Sequence, residues 1–175
     1  MEKTDKDEIL NELTLKQGRG EHVDSRLLAS VRDSQALYLF RLYDEDSFLS
    51  LIWQEIDSTR LLTPRGQPRT LKEIGLRLRA WRGFSELASA LGLPRTEHRP
   101  EWFDRCVHID TGFDYARFGW ISVVHPTDSE RRQSPSGSFY IYDGVHRAVV
   151  LAKRLLAQES EFQPLTALLI VPRPA

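Results

Sequence analysis

A chain of 175 residues is the length of one ordinary domain, and 41% hydrophobic with 28% charged side chains is the mixture of a protein that buries a core. No apolar run approaches the roughly 20 residues needed to cross a bilayer, the opening MEKTDKDEIL has no apolar signal core, and the lone cysteine, Cys106, excludes an intramolecular disulfide or a cysteine-rich zinc site. The net charge of −1 is unevenly spread: residues 1–57 carry 13 acidic and 7 basic side chains, residues 58–105 carry 5 and 10, and residues 106–175 carry 7 of each.

In chain order, residues 1–20 read as a short amphipathic lead anchored by Ile9, Leu10, Leu13 and Leu15, ended at Gly18-Arg19-Gly20. From His22 to about Thr59 the apolar spacing is mostly helical, although ALYLFRLY, short and rich in aromatics, reads equally as a strand. Asp44 to Ser47 caps the apolar run that begins at Phe48. TPRGQPRT (63–70) is a loop, and Thr70 with Glu73 makes a capping box that opens a helix to about Trp81. SELASALG is a second short helix, with Ser85 at its start and Gly92 just past its end. LPRTEHRP (93–100) is another loop. Beyond it the order becomes strand (WISVVHP), polar loop (127–138), strand (FYIY), turn, helix, strand (PLTALLIVP). The chain therefore divides near Pro100 into a helical N-terminal part (1–100) and an α/β part (101–175), which together form one compact domain or two units. A reducing cytoplasm is the expected home.

The turn carries the chemistry. In SFYIYDGVHRAVVLAKRLL a strand stops at Asp143-Gly144 and a helix starts with His146 and Arg147. The first amides of a helix lack internal acceptors and, with the helix dipole, attract anions. Gly144 lets a ligand approach the backbone, Arg147 offers a forked donor for phosphate oxygens, and His146 is a residue type that can donate to a phosphate or shuttle a proton. The plainer alternative is a structural turn in which Asp143 caps the helix and the His-Arg pair is surface polarity. The basic middle third supplies Arg65, Arg69, Lys72 and Arg77 as candidate DNA contacts, unless those side chains merely solvate helix faces. FSELASALGLPRT has the look of half a helix-turn-helix, but Pro100 interrupts the place of a reading helix.

YIYDGVHRAVVLAKRLL resembles the signature of the ParB/sulfiredoxin superfamily, and FGWISVVHP and FQPLTALLIV resemble the strands that flank it there. The resemblance covers residues 101–175. It implies a small sheet with flanking helices, an α+β fold preceded here by the helical N-terminal half. It further implies a nucleotide (ATP or CTP) whose phosphates contact Gly144, His146 and Arg147, with Arg117 a further contact. Asp143, His146 and Arg147 become the candidate catalytic residues, and Asp143 the candidate ligand of Mg²⁺. Sulfiredoxins place a reactive cysteine directly before His-Arg; Val145 stands there, so sulfinic acid reduction is excluded. In that superfamily an acidic side chain from this upstream region can serve as base or metal ligand, which makes Glu101, Asp104, Asp110 and Asp114 candidates; the plainer reading of each is surface charge around a short helix. The expected activity is nucleoside triphosphate hydrolysis linked to DNA binding or cleavage. That activity resembles the small plasmid-encoded branch associated with oncogenic suppression and fertility inhibition, which acts on conjugative DNA transfer. The alternatives are a nucleotide-switched module that binds DNA or protein without catalysis, and a kinase for free serine.

Overall fold

The fold is taken from a computed structural model, which describes residues 1–19, 23, 25–53, 69–90, 92, 101–128, 132 and 137–173. The elements are β1 (Glu2–Thr4), α1 (Lys6–Gly18), α2 (Ser25–Asp33), β2 (Ser34–Leu42), α3 (Glu45–Leu49), β3 (Ile52–Trp53), β4 (Arg69–Thr70), α4 (Leu71–Leu78), α5 (Phe84–Ala90), α6 (Glu101–Thr111), a 3₁₀ turn (Tyr115–Arg117), β5 (Ile121–Val124), β6 (Tyr140–Asp143), α7 (Val145–Leu156) and β7 (Leu165–Pro172). Among the described residues this is an α+β protein with seven α-helices and a mixed sheet of seven strands in the order β1-β2-β7-β5-β6-β3-β4. The pairs β5–β7 and β3–β6 are parallel and the others antiparallel. No described helix is long and apolar enough to cross a membrane.

Alternation along the strands sorts the core into two layers. On one face Leu37, Leu168 and Ile170 meet Ile9 and Leu13 of α1 and Leu27 and Val31 of α2. On the other, Ile121, Val123, Ile141, Ala167 and Leu169 meet α3 to α7. In α7 every residue from Ala148 to Lys153 is buried, because its flanks are covered by α4 and α6 as well as by the sheet beneath.

The expected helical character of residues 22–59 gives way to a mixture. α2 is helical, but the chain then turns directly into β2, nine residues paired along their length with β7. The reason is burial on both faces: Leu37 and Leu39 pack toward α1 and α2, while Tyr38, Phe40 and Leu42 pack toward the other layer. A strand apolar on both sides loses the alternation that would distinguish it from a buried helix. Four of the seven strands lie before residue 100, so the N-terminal half is not helical alone, and the sheet takes strands from both sides of that position.

Several local expectations match. Asp44 accepts the Ser47 amide at 2.8 Å and caps α3. Thr70 and Glu73 form the capping box of α4. Gly92 has a left-handed φ of 67°. α4 ends at Leu78 rather than Trp81, and α5 begins at Phe84, one residue ahead of Ser85. Its Phe84 amide is taken by the Asp110 carboxylate at 3.3 Å. The loops at 63–68 and 93–100 and the second half of the helix-turn-helix pattern lie outside the described residues.

Candidate functional site

β6 ends at Asp143, and Gly144 turns the chain into α7 with φ 89° and ψ 13°. That left-handed geometry suits glycine and strains any other residue. No side chain caps α7, so Asp143 does not take the capping role open to it in the sequence. Its carboxylate instead lies 3.8 Å from the Arg147 guanidinium.

Arg147 is held more tightly than its place in the motif suggests. It donates to the carbonyl of Phe118 and, at 3.0 Å, to that of Trp120. Both carbonyls converge on one guanidinium because Gly119 between them has a left-handed φ of 67°. A Cβ at Gly119 would stand 2.9 Å from Arg147 Nη1, and one at Gly144 would stand 3.1 Å from Nη2. The two glycines thus make room for the guanidinium, which locks the 118–120 segment to the start of α7. Gly144 serves the arginine as well as any ligand.

Above this lock lies a cleft of about 610 Å³, within the usual range for small-molecule sites. Asp143, Gly144, His146 and Arg147 line its floor, and Arg117 its rim. α6 contributes Arg105 and His108, α1 contributes Lys16, and the start of β5 contributes Trp120 and Ser122. Among the described lining residues are four permanent cations, Lys16, Arg105, Arg117 and Arg147, and a single carboxylate, Asp143. The Lys16 ammonium sits 4.5 Å over the Trp120 ring and 3.6 Å from Glu12. Arg105 pairs with Glu101 one helical turn back, and Arg117 lies 3.8 Å from Asp114 with its side chain 87% exposed. His146 packs against Trp102 at 5.8 Å between ring centroids. Each of the four cations has a carboxylate partner, Glu12, Glu101, Asp114 or Asp143, but of these only Asp143 lines the cleft, so the surface facing it at the start of the helix is mainly positive and favours an anion.

The structure thus gathers Arg117, Asp143, Gly144, His146 and Arg147 into one cleft. None of Glu101, Asp104, Asp110 and Asp114 lines it. Glu101 pairs with Arg105, and Asp114 accepts the Ala116 amide at 2.9 Å to start the 3₁₀ turn. Asp110 receives Arg154 at 2.9 Å in addition to the Phe84 amide, so it joins α5, α6 and α7. Cys106 is buried on α6, and burial, reinforced by the Asp110 charge, pushes its thiol well above the usual range. It is placed as core, away from the cleft.

Arg69, Lys72 and Arg77 also stand away from the cleft. Lys72 and Arg77 are exposed on α4, five residues apart and so on different ridges of the helix. Arg69 pairs with Trp53 across β4 and β3, its Nε buried with no hydrogen-bond partner. Arg65 lies outside the described residues.

Sequence reading missed Lys16, Arg105, His108, Trp120 and Ser122. Two signals were present. Positions 105, 108 and 109 share one face of a helix, and 120, 122 and 124 share one face of a strand. Lys16 had none, since only the tertiary fold carries α1 to this end of the sheet. Comparison with protein-family models, with curated proteins and with solved structures finds no match to this chain.

Proposed function

We propose that the cleft binds a nucleoside triphosphate through its phosphates and that the chain hydrolyses it, as the likeness of its D-G-x-H-R turn to the ParB/sulfiredoxin superfamily implies. The observation that carries the reading is the charge pattern: four permanent cations and one carboxylate around a helix start that no side chain caps. Phosphate oxygens accept from the first-turn amides of α7, and Lys16, Arg105 and Arg117 neutralise the charge that extends outward. Arg147, fixed by the Phe118 and Trp120 carbonyls, supplies a preorganised positive field. His146 takes the proton of the attacking water as its oxygen bonds to the terminal phosphorus and the bond to the bridging oxygen breaks, releasing the diphosphate.

The described residues contain no cluster of three ligating side chains. A metal held wholly by the described side chains does not fit, but Mg²⁺ shared between Asp143, the ligand's phosphates and water does. When bound, that ion neutralises phosphate charge; Asp143 is the residue that would orient it.

The test is phosphate release from ATP and CTP with and without Mg²⁺ and DNA. Wild type should turn over, and Asp143→Asn should lose about 100-fold or more in rate while binding ATP within about tenfold of wild type. One observation favours a second reading, a switch that binds nucleotide to control contact with DNA or another protein. The one carboxylate among the described lining residues already faces Arg147 at 3.8 Å, an ion pair that competes with a metal. Saturable nucleotide binding with no phosphate release would select the switch.

A further inference from the structure

Among the described residues four polar or charged ones are buried: Ser34, Thr70, Ser122 and Lys153. Protein groups satisfy three of them. Ser34 donates to the Val31 carbonyl at 2.8 Å, Thr70 exchanges hydrogen bonds with Glu73, and Lys153 is held by Glu159 and the Arg82 carbonyl. The Ser122 hydroxyl, in a residue 3% exposed, bonds to none of the described residues. Nothing in the strand asks for a hydroxyl there. Ile121 and Val123 face the layer of α3 to α7, so Ser122 between them faces the layer of α1 and α2. On that side its partner on β7 is Leu168, and Trp120 and Val124 flank it along β5. A small apolar residue would continue the surface. What Ser122 does face is the cleft. Its Oγ is not one of the sealed polar atoms without a partner, which among the described residues are Trp53 Nε1 and Arg69 Nε. A buried hydroxyl that bonds to no protein group and opens on a cleft is placed to meet a ligand.

Its position fixes which part of the ligand it meets. Between β5 and β6, Ser122 stands opposite Asp143 and Val123 opposite Ile141, so Tyr142 forms a bulge, a device that re-aims side chains beside sites. One strand pairing, about 5 Å of backbone separation, lies between Ser122 and the residue before Gly144. A Cβ on Gly144 would stand 3.6 Å from the Ile121 Cα, so β5 runs against the start of α7. Resting on the reading of the cleft as a phosphate site, we infer that the Ser122 hydroxyl donates to a phosphate oxygen held at the first-turn amides of α7. It adds a donor from the sheet to those of the helix, and being neutral it has no carboxylate partner to give up.

Removing a hydroxyl that bonds to no protein group should weaken binding and spare the fold. Without ligand, Ser122→Ala should melt within about 4 °C of wild type or above it, and Ser122→Cys, which nearly keeps the volume and offers only a weak donor, should do the same. Calorimetry of ATP and of inorganic tripolyphosphate with the full chain, wild type and both variants, then reads the contact. Each variant should bind both ligands about tenfold to a hundredfold more weakly, the effect of losing one hydrogen bond to a charged oxygen. Variants that bind as wild type does would overturn the inference and leave the phosphate site standing. A loss confined to ATP would overturn it too, by placing the hydroxyl against the sugar or the base. If both variants melted lower than that limit, the hydroxyl would be holding the fold and the inference would fail. Wild type that binds neither ligand would overturn this inference together with the phosphate reading.

Discussion

Arg147 shows how one residue acquires a role its motif does not announce. In the sequence it is a phosphate donor at a helix start. In the structure two backbone carbonyls and two left-handed glycines surround its guanidinium. Hydrogen bonds from a charged donor are worth about 1.5–3 kcal/mol each. Arg147→Ala should therefore destabilise the fold by about 3 kcal/mol, besides weakening ligand binding. Gly119→Ala imposes a strained φ and crowds the same guanidinium, at about 2 kcal/mol. Because both changes strike one contact, their costs should not add. Urea denaturation of the two variants and the double variant measures this; full additivity would show that the lock does not hold the segment. The motif itself was legible, since Asp143 to Arg147 could be read as a strand-to-helix turn. What the arginine touches was not, because Phe118 and Trp120 approach it only through the fold.

At the scale of elements, α7 is held by charge as well as by apolar packing. Lys153, 1% exposed, donates to both Glu159 oxygens at 2.9 Å and to the Arg82 carbonyl at 2.7 Å. Arg154 beside it bonds Asp110 and Ser160. The two partners are unequally exposed, with Glu159 at 30%, and this sets an order of costs. Glu159→Gln leaves a buried ammonium without its counter-charge, at about 2 kcal/mol, or about 4–8 °C in Tm. Lys153→Met keeps the volume and leaves Glu159 able to reach water, so it should cost less. Thermal and urea unfolding rank the two, and a costlier Lys153→Met would contradict the account. Some elements were legible for physical reasons: α4 announces itself by a capping box, and β5, β6 and β7 by short β-branched or aromatic runs bounded by turns. Others were not. β2 is buried on both faces and so shows no period. β1, β3 and β4 have two or three residues each, too few for any pattern, and they exist because a neighbouring strand offers hydrogen bonds. The burial of Lys153 against the Arg82 carbonyl was not legible either, because only the tertiary fold brings residue 82 to α7.

For the whole molecule, the sheet joins strands from both ends of the chain, and the cleft forms where α1 and α2 on one face approach α6 and α7 at the end of β6. Part of the proposed site was therefore invisible in the sequence, because Leu13, Lys16, Val23 and Leu27 reach the cleft from more than a hundred positions before the turn. The central claim is that nucleotide phosphates sit at the start of α7. Its most direct measurement is a crystal structure of the full chain with a non-hydrolysable ATP analogue and Mg²⁺. The account predicts phosphate oxygens about 2.7–3.2 Å from first-turn amides of α7, with Lys16 and Arg117 turned toward them. Phosphates seated anywhere outside this cleft, with the α7 start occupied only by water, would contradict it.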